Sequence, residues 1–126
     1  MAAGDEAASS IAAFACEKGL RGSHFTAIGG FSRATLGYYD WEAKTYFRIP
    51  VDEQVEVLSL IGDIAIEKSE PKVHAHVVVG LRDGSTRGGH LLEGFVRPTL
   101  EIVIAESPKS LEKKFDPASQ LALISV

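Results

Sequence analysis

Apolar and polar positions alternate along much of this chain, which predicts a fold built mainly from β-strands. In residues 73–79 the odd positions are apolar, so one face of this strand suits a core while His74 and His76 share the opposite face. Glycines, prolines and an Asp-Gly pair separate such stretches from one another. The predicted strands cover residues 25–28, 32–39, 45–49, 54–61, 63–67, 73–81, 86–92, 99–105 and 121–124.

A single helix is predicted before the strands, over residues 7–18. Gly4-Asp5-Glu6 offers a cap and early acidic groups, apolar side chains follow at helical spacing, and Gly19 supplies a stop. Because the strands succeed one another without helices between them, we expect them to pair antiparallel. The predicted fold class is therefore α+β, with one amphipathic helix covering a face of an antiparallel sheet.

The strand that carries two histidines is followed by Asp83-Gly84, a pair typical of a tight hairpin. A three-residue loop that ends in a left-handed Gly84 would place His76 directly opposite His90, with Cβ atoms about 4.5–5.5 Å apart. A two-residue loop would instead pair His76 with Leu91 and turn His90 to the other face. The three-residue loop is therefore the register in which the imidazoles meet.

Three imidazoles on one face make a candidate metal site. Neutral imidazole is the commonest metal ligand in proteins, and His74, His76 and His90 would leave the fourth position of a tetrahedral ion open. Closed structural zinc sites are rich in cysteine, whereas this chain has one cysteine. Gly88-Gly89, just before His90, fits a bulge or a close backbone approach. The alternative is a polar strand face that happens to carry three histidines.

Two glutamates on apolar strands are candidates to assist the histidines. Glu56 and Glu101 each have apolar neighbours that should draw the strand inward, and a buried carboxylate is costly unless it is paired or coordinated. Either could be a fourth ligand, or could accept the outer ring N–H of a ligating histidine. The alternative is that each glutamate faces outward on an edge strand.

Composition fits one domain, residues 1–126, and disfavours a nucleic-acid interface. The chain carries 13 Lys and Arg against 17 Asp and Glu, a net charge of −4. Its basic residues are scattered, and the nearest approach to a cluster is Lys109, Lys113 and Lys114, in a polar stretch that we interpret as a solvated loop or short helical turn. Binding to phosphates needs clustered basic side chains.

Cysteine content and hydropathy indicate the cellular compartment in which we expect the protein. A single cysteine, Cys16, excludes a disulfide within the chain and is typical of a reducing environment. No apolar run reaches the length of a membrane span, and the first residues lack the basic start of a signal peptide. We therefore expect a cytoplasmic protein without a membrane partner.

Several landmarks together resemble the plant-and-prokaryote conserved (PPC) domain family, whose bacterial and archaeal members are often labelled predicted DNA-binding proteins. The most specific is the order His-x-His, Asp-Gly, Gly-Gly-His along the chain. The landmarks are Gly4-Asp-Glu, Phe14-Ala, Phe25-Thr-Ala-Ile-Gly29, Leu36-Gly-Tyr-Tyr-Asp40, Val55-Glu-Val-Leu-Ser-Leu-Ile-Gly62, His74-x-His76, Asp83-Gly84, Gly88-Gly-His-Leu91 and Thr99-Leu-Glu-Ile-Val-Ile104.

The resemblance implies an antiparallel sheet wrapped around one main helix, assembly as a homotrimer, and a metal site at His74, His76 and His90. Zinc is the expected ion, and iron, nickel and copper are also compatible with imidazole ligands. Family members usually have a strand before the Gly-Asp-Glu segment, and that strand is missing here. We therefore expect either another subunit covering the exposed sheet edge or an upstream segment that supplies the strand.

Two functions of different classes follow. The first is a trimeric metal-binding module whose open coordination position takes water or a small anionic ligand, in an enzyme or in a binding protein. The second is a DNA-associated regulatory or scaffolding protein in which the metal only stabilises the fold. Plant members carry a separate AT-hook for the minor groove, and this sequence has no such Arg-Gly-Arg segment.

Overall fold

Two long strands run through most of the fold and pair with each other. β1 (Gly22–Asp40) has 19 residues and β5 (Thr86–Glu106) has 21. The computed structural model describes residues 1–125, and Val126 lies outside the described residues. The other elements are α1 (Ala7–Lys18), β2 (Thr45–Val51), β3 (Val55–Glu67), β4 (Glu70–Gly80), β6 (Lys113–Asp116) and β7 (Leu121–Ile124).

The main sheet is antiparallel and closes on itself. Its strand order is β2-β1-β3-β4-β5, and a further pairing joins β5 back to β1. β2 and β3 follow one another along one edge of β1, while β5 occupies the other edge. Because side chains alternate across each strand, the inner face holds a continuous apolar core in which Phe25, Phe31, Leu36, Leu60 and Leu100 are fully buried. The predicted antiparallel α+β fold is confirmed.

Three predicted strand breaks are wrong, because glycines and a proline lie inside strands there rather than at turns. At Gly29 the pairing register shifts, and an added Cβ would lie 2.2 Å from the carbonyl oxygen of Thr99 on β5. The glycine therefore permits a bend and a close strand approach within one long strand. The pairs of predicted strands that merge are 25–28 with 32–39, 54–61 with 63–67, and 86–92 with 99–105.

The end of the chain forms a separate two-stranded sheet from β6 and β7. β7 matches its prediction, but Lys113 and Lys114 lie in a strand, which corrects their interpretation as part of a loop or helical turn. The Ile66 N–H on β3 donates to the Leu111 carbonyl at 2.8 Å, so backbone bonding attaches this hairpin to the main sheet.

α1 begins and ends where the sequence predicts. Gly19 adopts the left-handed conformation, with φ 63°, and ends the helix. Ala7, Ile11 and Ala15 form the buried face of the helix. Within residues 1–125, no helix has the length and apolar character needed to span a membrane.

Glu6 caps the helix and also ties it to the sheet. Its carboxylate accepts the N–H groups of Ala8 at 3.1 Å and Ser9 at 2.8 Å, and that of Gly94 on β5 at 3.1 Å. Burial raises the pKa of Glu6, but these hydrogen bonds outweigh burial and hold the pKa below its ordinary value. One carboxylate thus satisfies donors at the first turn of α1 and on β5.

The N-terminal residues continue onto the edge of β5. Met1 accepts the Leu100 N–H at 3.2 Å, and Ala2 forms an isolated antiparallel bridge with Thr99. Beyond Leu100, none of the described strands pairs with this edge of β5.

Replacing Glu6 with alanine should lower the free energy of unfolding by about 1–2 kcal/mol at pH 7, because three backbone donors lose their acceptor. Since folding lowers the pKa of Glu6, its contribution is complete above its ordinary value of 4.5 and is lost as the pH falls through the folded value. Urea denaturation of the wild type and of Glu6→Ala at pH 7 and pH 3 measures this difference in the free energy of unfolding. Glu17→Ala, at an exposed position of the same helix, is the control, and an equal loss in both variants would contradict the capping role.

Candidate metal centre

The β4–β5 hairpin sets the positions of the histidines. The Leu81 N–H donates to Ser85 at 2.8 Å, which closes a loop of three residues, and Gly84 has φ 84°. Counting outward from this loop, His76 pairs directly with His90. The predicted three-residue register is confirmed, and the two-residue alternative is wrong.

β5 is paired on both of its edges at His90. This residue faces His76 on β4 and Gly37 on β1, so it lies where β5 passes from one neighbour to the other. A Cβ on Gly89 would lie 2.7 Å from the Gly37 carbonyl oxygen. The close backbone approach predicted for Gly88-Gly89 is therefore present, and it fixes His90 on the outer face of a closed sheet.

The three imidazoles converge. One ring nitrogen from each of His74, His76 and His90 lies within 4.8 Å of the others, and the ring centroids are 5.1, 5.2 and 5.5 Å apart. Nitrogens bound to one tetrahedral ion at about 2.0–2.1 Å lie about 3.4 Å apart. Side-chain rotations that shorten the separations by up to about 1.4 Å would place all three nitrogens within bonding distance of one ion. His24 lies outside this group.

Asp63, on β3, is the carboxylate that contacts the cluster. Its Oδ2 lies 3.3 Å from His74 Nδ1, and its Oδ1 lies 3.5 Å from Lys113 Nζ. Burial raises the pKa of Asp63, but the hydrogen bond with His74 and the Lys113 ammonium outweigh burial and lower it. The ionised carboxylate favours a proton on His74 Nδ1, which leaves Nε2 free to bind an ion.

The surroundings keep two of the rings neutral. Burial lowers the pKa of His90 to about 4, with further lowering from His74, His76 and Lys113, and burial and His74 lower that of His76. Neutral imidazole is the form that binds metal. His90 Nδ1 is buried without a hydrogen-bond partner, although buried polar atoms nearly always have one. The donor set, the contact of His74 Nδ1 with Asp63 and this unpaired nitrogen all fit a bound divalent cation.

A cleft opens beside the cluster. It has a volume of about 550 Å³, and its lining includes His74, His90, Asp63 and Lys113. The ring of Tyr46 on β2 lies 4.7 Å from that of His90, centroid to centroid. Burial and the neighbouring Tyr39 raise the pKa of Tyr46, so its phenol is neutral at pH 7.

The structure does not bring Glu56 and Glu101 to the histidines. Both are exposed and line another depression of the outer face, together with Ile28 and Leu58. The cluster of potential metal ligands contains neither of them. Asp63 occupies the place beside a histidine that the sequence analysis had considered for these two glutamates.

Asp63, Tyr46 and Lys113 are the residues of this site that sequence analysis missed. Asp63 lies opposite His74 because β3 and β4 are joined by a tight turn at Lys68 and Ser69, both with positive φ. Lys-Ser lacks the glycine or asparagine that signals such a turn. Only the pairing register shows the contact, since the sequence carries no hairpin signal there.

A model of the family described as the Plants and Prokaryotes Conserved (PCC) domain matches residues 1–108. A curated relative, the bifunctional protein GlmU of Synechococcus sp. (strain JA-3-3Ab), is 36% identical over 99 residues. That match covers 75% of this chain and only 14% of the cyanobacterial protein.

Solved structures share the fold over the whole chain. A PPC protein from Pyrococcus horikoshii is 34% identical with a TM-score of 0.93, and the match covers 100% of this chain and 87% of that one. A metal-containing protein from Archaeoglobus fulgidus is 35% identical with a TM-score of 0.90, covering 100% and 89%. A Ralstonia eutropha protein to which DNA binding has been attributed is 28% identical with a TM-score of 0.92, covering 100% and 88%.

Proposed function

This chain belongs to the Plants and Prokaryotes Conserved domain family, and on that premise we propose that it is a trimeric metal-binding module. His74, His76 and His90 hold one divalent ion, and one coordination position stays open for water or a small anion. The convergence of three ring nitrogens within 4.8 Å carries this proposal.

The protein groups around the ion have separate tasks. Asp63 orients His74 through Nδ1, and Tyr46 packs over His90 and shields that side of the ring from water. A bound ion supplies Lewis acidity at the open position, or lowers the pKa of a bound water. Three neutral donors leave the ion its full positive charge, which favours an anion at the open position. A catalytic role would need a substrate in the adjoining cleft.

Zinc is the ion we propose, because it accepts a tetrahedral set of three imidazoles and an open position without change of oxidation state. The metal-containing protein from A. fulgidus, which shares the fold at 35% identity, supports the presence of a metal in such a domain. Iron, nickel and copper are further candidates, since supply as well as ligands decides which ion is bound.

Exposed apolar side chains on the outer face of the sheet support assembly into a trimer. We call them the outer patch: Ile28, Leu58, Ile61, Val78 and Val103, with exposed fractions of 59%, 52%, 59%, 41% and 71%. Ile61 pairs with His76, so the patch borders the histidine cluster. Apolar side chains grouped on one face mark an interface more often than isolated ones do. We therefore place the subunit contact beside the metal centre.

DNA association is the alternative function, supported by the attribution made for the R. eutropha protein. A net charge of −4 opposes it, because non-specific affinity rests on basic groups at the phosphates. Duplex DNA offered at low salt decides between the two functions. Binding that weakens steeply as the salt concentration rises would favour the DNA role. An absence of binding at low salt would exclude that role.

Elemental analysis of purified protein tests the metal site. We expect about one ion per chain in the wild type, and loss of that ion in His74→Ala, His76→Ala and His90→Ala, because two imidazoles bind far more weakly than three. His24→Ala, which changes the fourth histidine, should keep its metal. An unchanged metal content in the folded His90→Ala variant would overturn the proposed ligand set.

Light scattering coupled to size-exclusion chromatography tests the trimer. Wild-type protein should elute at about three times its chain mass of 13.5 kDa. Val103→Lys should shift it to smaller species without unfolding it, since Val103 is 71% exposed within one chain. Phe115→Lys is the matched control, because Phe115 is 63% exposed on β6, outside the outer patch. A wild-type protein of single-chain mass would contradict the proposal.

A further inference from the structure

The β6–β7 hairpin extends across the face that carries the histidines. At its base it bonds to β3 through Ile66, and at its tip the Tyr39 hydroxyl donates to the Ser119 carbonyl. The Lys44 ammonium adds a second bond at the tip, to the Ala118 carbonyl at 2.7 Å. The hairpin is thus held at both ends, by different strands of the main sheet, and the cleft of about 550 Å³ lies between it and the sheet.

The walls of this cleft differ in chemistry. His74 and His90, two of the three proposed ligands, line one side. β7 contributes an apolar wall, which includes Ala122 and Ile124, and Val73 adds to it from β4. A volume of about 550 Å³ lies within the usual range of small-molecule sites. The cleft therefore combines a place for a charged group with a place for an apolar body.

Lys113 lines the cleft beside the cluster, and its side chain is almost fully buried. Its side chain is 8% exposed, and its charge is one cause of the lowered pKa of His90. Its Nζ lies 3.5 Å from Asp63 Oδ1, longer than the 2.7–2.9 Å of a strong charged hydrogen bond. An ammonium has three donors, so Lys113 retains donors for a ligand in the cleft.

Charge in the cleft favours an anion once an ion is bound. The carboxylate of Asp63 already serves both His74 and Lys113. Asp63 and Lys113 form an ion pair whose charges cancel, and Glu67 and Lys72, which also line the cleft, add one charge of each sign. The charge of the divalent ion is then left unbalanced beside a buried ammonium.

We propose that the cleft under the β6–β7 hairpin binds a small organic oxyanion, a carboxylate or phosphate with an apolar body. One oxygen takes the open position on the ion, Lys113 Nζ donates to the same group, and the apolar body lies against Ala122 and Ile124. This inference rests on the proposed metal site and names its ligand class. Lys113 lies beyond residues 1–108, the part of the chain that the family model matches.

Cobalt(II)-loaded protein provides the test, because its visible spectrum changes when an anion enters the coordination shell. The probes are acetate, butyrate and hexanoate as one arm, and inorganic phosphate and butyl phosphate as the other, which separates carboxylates from phosphates. Lys113→Met should weaken the binding of the preferred anions about 10- to 100-fold. Lys114→Met, at the exposed neighbouring position, should leave their affinity unchanged. Within the preferred arm, affinity should rise up to about fourfold for each added methylene.

A second variant keeps the test decisive if Lys113→Met fails to fold. Ala122→Phe narrows the apolar part of the cleft and retains Lys113. It should therefore weaken the binding of hexanoate or butyl phosphate by at least about tenfold more than the binding of acetate or inorganic phosphate. Metal content is measured first in every sample. Stoichiometric cobalt with no spectral response to any anion, or equal affinities in the wild type and both variants, overturns the oxyanion site alone. Failure of the wild type to bind metal overturns the proposed function and this inference with it.

Discussion

Pairing of β5 on both of its edges at His90 is the constraint on which the rest of the structure depends. On one side the β4–β5 loop fixes His76 opposite His90, and on the other Gly37 of β1 approaches Gly89 closely. A slip of one residue in either pairing would carry His90 to the inner face and move apolar side chains of β5 outward. Because exposing those apolar side chains costs free energy, the register that buries them also keeps the His90 imidazole on the outer face. The packing of the sheet therefore sets the geometry of the site.

The division between two sheet faces explains how a metal site and a core coexist on the same strands. On β4, Ala75, Val77 and Val79 are buried inside, while His74 and His76 lie on the outer face. The histidines are thus free of core packing. Tyr46 packs against His90, the β6–β7 hairpin lies across the cleft from His74 and His90, and His76 is exposed. This cover desolvates His90 enough to keep it neutral without filling the space beside it.

Asp63 connects the cluster to the end of the chain. It contacts His74 on one side and Lys113 on the other, so the carboxylate, the imidazole and the ammonium form one short series of charges and hydrogen bonds. Removing any member would leave another partly buried group without its partner, which costs free energy. The hairpin that carries Lys113 is consequently part of the site, although it lies far from the histidines in the sequence.

The sequence by itself determined the helix at residues 7–18, the antiparallel character of the sheet, and the candidate cluster of His74, His76 and His90. These depend on local periodicity and on one tight loop, whose Gly84 fixes the register over only a few residues. The tertiary structure alone decided that glycines such as Gly29 lie inside long bent strands, and that Asp63 and Lys113 rather than Glu56 and Glu101 flank the histidines. The physical reason is distance along the chain. The Asp63–His74 contact depends on a turn at Lys68 and Ser69 that carries no sequence signal, and the Asp63–Lys113 contact joins residues 50 positions apart, which no local pattern of residues specifies.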